Sequence, residues 1–232
     1  MKYKVLLNMK TIHFYLQIKK REFLVLSILT LFCLCLLLIR AKASNSVFFF
    51  FLIWNLFLGF LPYCISQMFF YSIKIRNNKW YRAFGLLVWL LFLPNSFYLL
   101  TDFFHLNKFN SVPVWFDLMV VSSFSLTGFL FGIFSLFTIE KLLRNHYSVN
   151  VSKIFLLISL YLNAFGIYLG RYLRFNSWDV LSNPINLLNS CINCLFISDV
   201  QNFTLGFGTF LMVIYFVATS MKKNETNNLK IK

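Results

Sequence analysis

Six long apolar stretches alternate with short polar connections along this chain of 232 residues. They run from Phe23 to Ile39, Val47 to Ile73, Ala83 to Leu100, Trp115 to Ile139, Lys153 to Leu173 and Phe203 to Met221. Because an α-helix rises about 1.5 Å per residue, each stretch can cross a hydrocarbon layer about 30 Å thick with little or moderate tilt. The pattern predicts an all-α, polytopic membrane protein with six transmembrane helices.

The composition agrees with one membrane domain and leaves little room for a soluble one. Hydrophobic residues make up 59% of the chain and aromatic residues 20%. We expect a single transmembrane domain over residues 1–232, with a basic N-terminal segment at 1–22, the six-helix bundle at 23–221 and a short tail at 222–232.

Lysine and arginine are divided unevenly between alternate connections. Most of the 22 basic residues fall in the N-terminal segment, the second and fourth connections and the C-terminal tail. The basic residues on the other side are Arg40, Lys42, Lys108, Arg171 and Arg174. By the positive-inside rule this distribution predicts a multi-pass protein of the plasma membrane with both termini in the cytoplasm.

The basic clusters also account for the net charge of +15. Short clusters beside membrane segments hold the orientation of the helices and meet anionic lipid headgroups at the cytoplasmic face, so a nucleic-acid partner is not expected. The expected partner is the lipid bilayer. A homo-oligomer or a larger membrane complex stays open.

The third apolar stretch contains a proline followed by a stripe of polar residues. Proline removes one backbone donor and clashes with the preceding turn, so we expect the third helix to be broken at Pro94. Asn95, Tyr98, Asp102 and His105 follow at spacings of three and four, which places them on one face of a continuing helix. An ionisable pair on an apolar helix indicates a functional site, although a solvated helix end gives the same pattern.

Other charged residues are predicted at the same side of the membrane. Asp117 lies early in the fourth helix, where a carboxylate interacts favourably with the helix dipole. Its role could be this stabilisation of the helix or catalysis, and both stay open. Arg171 and Arg174 lie on the side of the membrane that has few basic residues, so we expect a specific interaction to hold them there. Their candidate partners are Asp102, Asp117 and Asp179, so a structural ion-pair network and an anion-binding site give the same sequence pattern.

The candidate site therefore consists of two groups of residues. General acid or base roles, or metal ligation, fall on Asp102, His105 and Asp117. The candidate substrate-binding residues are Asn95, Tyr98, Arg171, Arg174, Asn176, Trp178 and Asp179. One histidine with scattered carboxylates is a weak metal signature, so neither a metal nor a cofactor is assigned.

The last connection on this side is the longest and contains a predicted interfacial helix. Asn183-Pro184 is a helix start, and apolar residues at spacings of three and four continue toward Leu195. This helix would either cover the polar cluster or lie passively on the bilayer surface. Cys191 and Cys194 form a C-x-x-C sequence within it, for which a disulfide and two free thiols are both open.

Four separated motifs resemble those of a bacterial membrane protein family. They are Trp54-Asn55-Leu56-Phe57-Leu58, the segment from Trp89 to Leu106, Trp115-Phe116-Asp117 and the segment from Gly170 to Asp179. In this order they resemble the family known as domain of unknown function 1361. The resemblance implies a multi-pass bacterial membrane protein, and it carries no reaction, substrate or cofactor.

Three functions remain open. An enzyme or binding protein acting on an anionic, lipid-linked envelope substrate would show an outward-opening pocket with an unpaired acid or base. A small transporter or transport subunit would continue its polar residues deeper into the bundle, where Asn163 is the candidate. A structural partner of an envelope complex would pair its charges internally and leave no cavity. We adopt the first as the leading hypothesis.

Overall fold

The computed structural model describes residues 2–72, 78–106 and 112–228, so Ile73 and Lys108 of the sequence analysis lie outside the described residues. Within these ranges the chain is helical and has no β-strand. The α-helices are α1 (Lys2–Ser44), α2 (Phe51–Tyr71), α3 (Lys79–Tyr98), α4 (Val114–His146), α5 (Val149–Tyr172), α6 (Asp179–Ser182), α7 (Pro184–Cys194) and α8 (Ser198–Asn228). Short 3-10 helices occupy Phe48–Phe50 and Leu99–His105.

Six segments of the described chain are long and apolar enough to cross a membrane. They are Lys19–Ser44, Phe48–Phe69, Lys79–His105, Val114–His146, Val149–Tyr172 and Ser198–Lys222. Each coincides with one of the six apolar stretches, which confirms the predicted all-α fold with six membrane-spanning helices.

The bundle is built around α4. This helix packs against α1, α2, α3 and α5, and its apolar window is the most buried of the six. Trp89 and Phe97 of α3 are fully buried in an apolar cluster with Leu136 of α4. By contrast α8, which packs chiefly on α5, keeps most of its apolar window exposed, as expected for a helix that faces lipid.

The third helix is not broken at Pro94, which corrects the sequence prediction. Helical geometry continues through Pro94 to Tyr98, and the change to a 3-10 helix comes only at Leu99. Pro94 packs closely on α5 at Gly166, where an added Cβ would lie 2.7 Å from the proline Cγ. The neighbouring helix thus accommodates the ring through a glycine.

Side chains satisfy backbone carbonyls beside Pro94. Ser177, in the connection after α5, donates from Oγ to the carbonyl of Leu91 at 3.1 Å. Asn95 donates from Nδ2 to the carbonyl of Phe92 at 3.0 Å. These bonds tie the backbone just before Pro94 to the side chain of Asn95 and to the connection after α5.

The connection between α5 and α8 folds into α6 and α7 at one end of the bundle, which we call the α7 end. The predicted short helix is present as α7, with Pro184 at its first turn. Ile185, Leu188 and Ile192 form an exposed apolar face on it. The C-terminus of α1 and the N-terminus of α2 lie at this same end, so α7 stands beside the candidate site.

Candidate functional site

A buried ion pair connects three parts of the chain at the α7 end. Asp102 is 0% exposed, and its Oδ1 accepts a hydrogen bond from Nη1 of Arg171 at 3.3 Å. The other carboxylate oxygen accepts from Nδ2 of Asn55 at 3.0 Å. The 3-10 helix after α3, the C-terminal turn of α5 and the first turns of α2 are thereby joined at one carboxylate.

Aromatic groups enclose the guanidinium of Arg171. Its Nη1 donates to the hydroxyl of Tyr98 at 3.3 Å, and its Cζ lies 5.3 Å from the ring centroid of Phe104. Its side chain is only 10% exposed. The predicted pairing of Arg171 with Asp102 is therefore present, and the charge of this arginine is largely neutralised inside the protein.

Asp117 belongs to a second, separate ion pair. Its carboxylate accepts from Nε of Arg40 at 3.0 Å and from Nη2 of Arg40 at 3.4 Å, a two-pronged arrangement. The guanidinium of Arg40 also lies 4.5 Å from the ring centroid of Phe49. Asp117, which the sequence offered as a candidate partner of Arg171 and Arg174, pairs instead with Arg40 among the described residues.

Arg40 is the residue of this end that the sequence analysis missed. It is fully buried, and it donates from Nη1 to Oγ of Ser44 at 3.1 Å. The sequence did mark Arg40 as unusual. It directly follows an apolar stretch on the side with few basic residues, so it is an exception to the charge distribution, as Arg171 is. What the sequence could not indicate was burial of its side chain.

His105 lies among aromatic rings. Its ring centroid is 5.0 Å from that of Phe51 and 6.3 Å from that of Phe48, both in edge contact. A 3-10 helix has three residues per turn, so His105 follows Asp102 along the same side of this segment. The predicted polar stripe is retained there, although its geometry differs from that of a continuing α-helix.

Asp179 bonds within its own turn and not with an arginine. Its Oδ2 accepts from the backbone N–H of Asn176 at 2.6 Å, and its Oδ1 accepts from the hydroxyl of Ser182 at 3.1 Å. These bonds shape the start of α6. The pairing of Asp179 with Arg171 or Arg174 that the sequence left open is therefore absent among the described contacts.

Arg174 stands apart from both ion pairs. It is exposed, and no carboxylate of the described chain lies within ion-pair distance of it. Its φ is 61°, a left-handed conformation that usually falls to glycine just past a helix C-terminus. The N–H of Phe175 donates to the carbonyl of Leu169 at 3.2 Å and ends α5 there.

A pocket of about 180 Å³ opens beside the Asp102–Arg171 pair. Helices α2, α3 and α5 and the segment from 175 to 187 form its walls. Its polar lining residues are Asn55, Asn95, Tyr98, Asn176 and Ser177. Among the described residues its lining contains no aspartate, glutamate, lysine or arginine. The pocket therefore presents amide and hydroxyl groups rather than formal charges.

Two of the lining residues also contact the ion pair, which links the pocket to it. Asn55 donates to Asp102, and Tyr98 accepts from Arg171. Asn95 is held by its bond from Nδ2 to Oγ of Ser177 at 2.9 Å. The Asp102–Arg171 pair thus positions Asn55 and Tyr98, which line the pocket, although neither charged residue lines the pocket itself.

Apolar groups complete the pocket. Trp54 lines it, and the Trp54 ring centroid lies 6.4 Å from that of the half-exposed Trp178. Leu187 lines it from α7. The exposed apolar face of α7 lies on other positions, so this helix contributes to the pocket wall while turning Ile185 and Leu188 outward.

Asn163 lies deeper in α5, on the face that lines the pocket. It precedes Gly166 by three positions and Gly170 by seven, spacings that share one helix face, and both glycines line the pocket. Its side chain is fully buried, and neither amide atom has a hydrogen-bond partner in the described structure. Asn163 is thus the deep polar residue that the transporter hypothesis named, and its amide group is buried without a partner among the described residues.

The cysteines of α7 are both thiols. Cys194 is buried and Cys191 partly buried. Burial raises the pKa of the Cys191 thiol, and the neighbouring Cys194 adds to the same direction. In the described part of the chain, no three histidine, cysteine, aspartate or glutamate residues are grouped as a metal site requires.

Six apolar helices around a charged and polar end define a multi-pass helical membrane protein. The family model described as protein of unknown function (DUF1361) matches residues 54–214, and the chain belongs to this family. Comparisons with curated proteins and with solved structures gave no match. The matched region contains the pocket and the Asp102–Arg171 pair, whereas Arg40 precedes it.

Proposed function

We propose that this protein binds an amphipathic envelope molecule that has a lipid or lipid-linked tail. The headgroup of this molecule would lie in the pocket at the α7 end. The observation that carries the proposal is the combination of an amide and hydroxyl lining with an apolar wall formed by Trp54 and Leu187. Ligand pockets are largely apolar with a few placed polar groups, and this pocket has that character.

Binding is favoured over acid or base catalysis by the state of the carboxylates. Asp102 and Asp117 each already bind an arginine, and the Asp102–Arg171 pair serves as a frame that positions Asn55 and Tyr98. An anionic group on the ligand would meet Arg174, the exposed arginine that follows α5. The purely structural hypothesis called for paired charges without a cavity, and the pocket argues against it.

The proposed setting is the plasma membrane of a bacterium, with both termini in the cytoplasm and the pocket on the outer side. Support comes from the distribution of lysine and arginine and from the implied bacterial origin of the family. On the outer side the pocket would meet molecules of the outer leaflet or of the envelope.

A small transporter or transport subunit is the second candidate. Asn163 favours it, because a buried amide without a partner lies on the pocket-lining face of α5, one turn beyond Gly166. A polar group at this depth would bind a solute that moves further into the bundle.

The test measures thermal unfolding of the purified protein in neutral detergent with a panel of lipids: phosphatidylglycerol, phosphatidylethanolamine, a glycolipid and a polyprenyl phosphate. We expect one class to raise the unfolding midpoint, because a ligand that binds only the folded state stabilises it. Asn176→Ala should lose this gain. Asn189→Ala, which changes an exposed asparagine of α7 outside the pocket, is the matched control.

Two results would contradict the proposal. One is that no lipid of the panel raises the midpoint of the wild type, and the other is that the control variant loses as much of the gain as Asn176→Ala. Arg174→Gln tests separately whether Arg174 contributes to the binding of anionic headgroups. This variant should lose any preference for anionic over neutral headgroups, and it should still bind the neutral ones.

A further inference from the structure

Two asparagines that line the pocket at the α7 end each keep a carbonyl oxygen available to a ligand. Asn55 donates from Nδ2 to the carboxylate of Asp102, and Asn95 donates from Nδ2 to the carbonyl of Phe92. A carboxylate and a carbonyl only accept, so these bonds fix which way each amide is turned. The Oδ1 atoms of both asparagines accept no hydrogen bond within the described chain, and neither is a buried atom.

Two further lining residues offer hydrogen-bond donors. The phenolic oxygen of Tyr98 accepts from Arg171, so its own O–H hydrogen is left to donate. Asn176 is exposed, and only its backbone N–H is bonded within the described chain, to Asp179. Its side-chain amide therefore keeps two donor hydrogens and an acceptor oxygen. Acceptors and donors thus stand side by side in one pocket.

This mixture of donors and acceptors selects the chemistry of the ligand. An ionised phosphate or carboxylate only accepts, so its oxygens would meet the Oδ1 atoms of Asn55 and Asn95 with no hydrogen between them. An ammonium group only donates, and it would leave the hydrogen of Tyr98 without an acceptor. A hydroxyl does both, so a group that carries several hydroxyls can satisfy every one of these atoms.

A tryptophan supplies an apolar surface beside these polar atoms. Trp54 lines the pocket and is 54% exposed, with Trp178 in edge contact with it. The weakly positive C–H groups on one face of a sugar ring pack well on the negative face of an aromatic ring. The pocket volume of about 180 Å³ suits one such ring and not a chain of them.

We propose that the headgroup held in this pocket is a neutral monosaccharide. Its hydroxyls would bond to the amide and phenol groups of the lining while one C–H face packs on Trp54. The inference rests on the proposed function and adds to it the chemical class of the headgroup. An anionic group elsewhere on the same molecule would lie outside the lining, toward Arg174, which precedes the lining residue Phe175.

The test measures bound lipid by native mass spectrometry in a polyoxyethylene detergent, which has no sugar of its own. Monohexosyl diacylglycerol, with glucose and with galactose, is compared with phosphatidylethanolamine and with diacylglycerol of the same acyl chains. A further ligand is the O-methylated hexosyl lipid, which keeps the ring and its acceptor oxygens but has lost the O–H donors.

The variants separate the aromatic surface from a general role of interfacial tryptophans. Trp54→Ala removes the ring, and Trp54→Phe keeps an aromatic face. Trp115→Ala is the matched control, because Trp115 is 64% exposed at the same end of the bundle and does not line the pocket.

We expect the wild type to retain at least one hexosyl lipid in preference to the other lipids. Trp54→Ala should bind it roughly tenfold more weakly, given what an aromatic contact contributes, whereas Trp54→Phe and Trp115→Ala should retain it. The O-methylated lipid should bind poorly, because it has no hydrogen to offer the two asparagine oxygens.

Equal retention of phosphatidylethanolamine or of the O-methylated lipid would overturn the sugar while leaving the proposed lipid binding in place. Equal losses in Trp54→Ala and Trp115→Ala would also overturn it.

If no lipid is retained, the proposed function fails, and soluble methyl glucoside and methyl galactoside decide about the sugar. One of them should then raise the unfolding midpoint of the wild type, but not that of Trp54→Ala, beyond the effect of sorbitol, which controls for general stabilisation by polyols. Equal effects on the two proteins would overturn the inference.

Discussion

Arg40 and Asp117 form a two-pronged ion pair between α1 and α4, with donor to acceptor distances of 3.0 and 3.4 Å, although 77 positions separate them in the chain. Both side chains are buried. The pair attaches the first membrane helix to the central one at the α7 end. It also explains why an arginine is tolerated at the end of an apolar stretch.

Breaking this pair should be costly. Arg40→Gln leaves the Asp117 carboxylate buried without its partner, and such a loss typically destabilises by about 3 to 5 kcal/mol. We expect a large drop in the thermal unfolding midpoint in detergent. Lys42→Gln, two positions away and exposed, should have little effect, and equal drops in both variants would show that the pair does not hold α1.

Arg174 offers a test of backbone strain at the edge of the site. Its φ of 61° suits glycine better than any residue with a Cβ, so Arg174→Gly should stabilise the fold by up to about 1 kcal/mol. The measurement is denaturant unfolding beside Arg174→Ala, which removes the same charge but keeps the Cβ. If alanine stabilises as much as glycine, the gain comes from the lost charge and not from the relaxed backbone.

Asn163 should prove unfavourable for stability. Each buried amide atom without a partner costs about 1 to 3 kcal/mol, so Asn163→Leu, whose side chain has the same branched shape, should raise the unfolding midpoint of the ligand-free protein. Asn202→Leu, at an exposed position of α8, is the control. A fall in the midpoint for Asn163→Leu would indicate that water or a ligand satisfies the amide.

The thiol of Cys191 should react slowly near neutral pH. Its pKa is raised by burial, and the thiolate is the nucleophile, so alkylation by a maleimide should accelerate only at a pH above the range for an ordinary cysteine. The pH dependence of the alkylation rate is compared with that of the same protein unfolded in detergent and denaturant. Because the folded state favours the protonated thiol, this group contributes stability that is lost as pH rises through its folded pKa.

Much of the candidate site could be predicted from local patterns. The residues Asn95, Tyr98 and Asn176 were selected from the sequence and do line the pocket. Leu187 was not selected, because whether a residue of α7 points toward the pocket or outward depends on how the connection after α5 folds back over the pocket. The surroundings of Pro94 were also beyond local reasoning, since Gly166 and Ser177, which lie against this part of α3, come from elsewhere in the chain.

The sequence by itself determined the six membrane spans and the short helix α7, because hydrophobic length and helix spacing are properties of contiguous residues. Only the tertiary structure decided which carboxylate meets which arginine. Asp102 pairs with Arg171 and Asp117 with Arg40, while Asp179 stays within its turn. Attraction between opposite charges is the same for every such pair, so the partner is chosen by which helix ends the packing brings within a few ångströms.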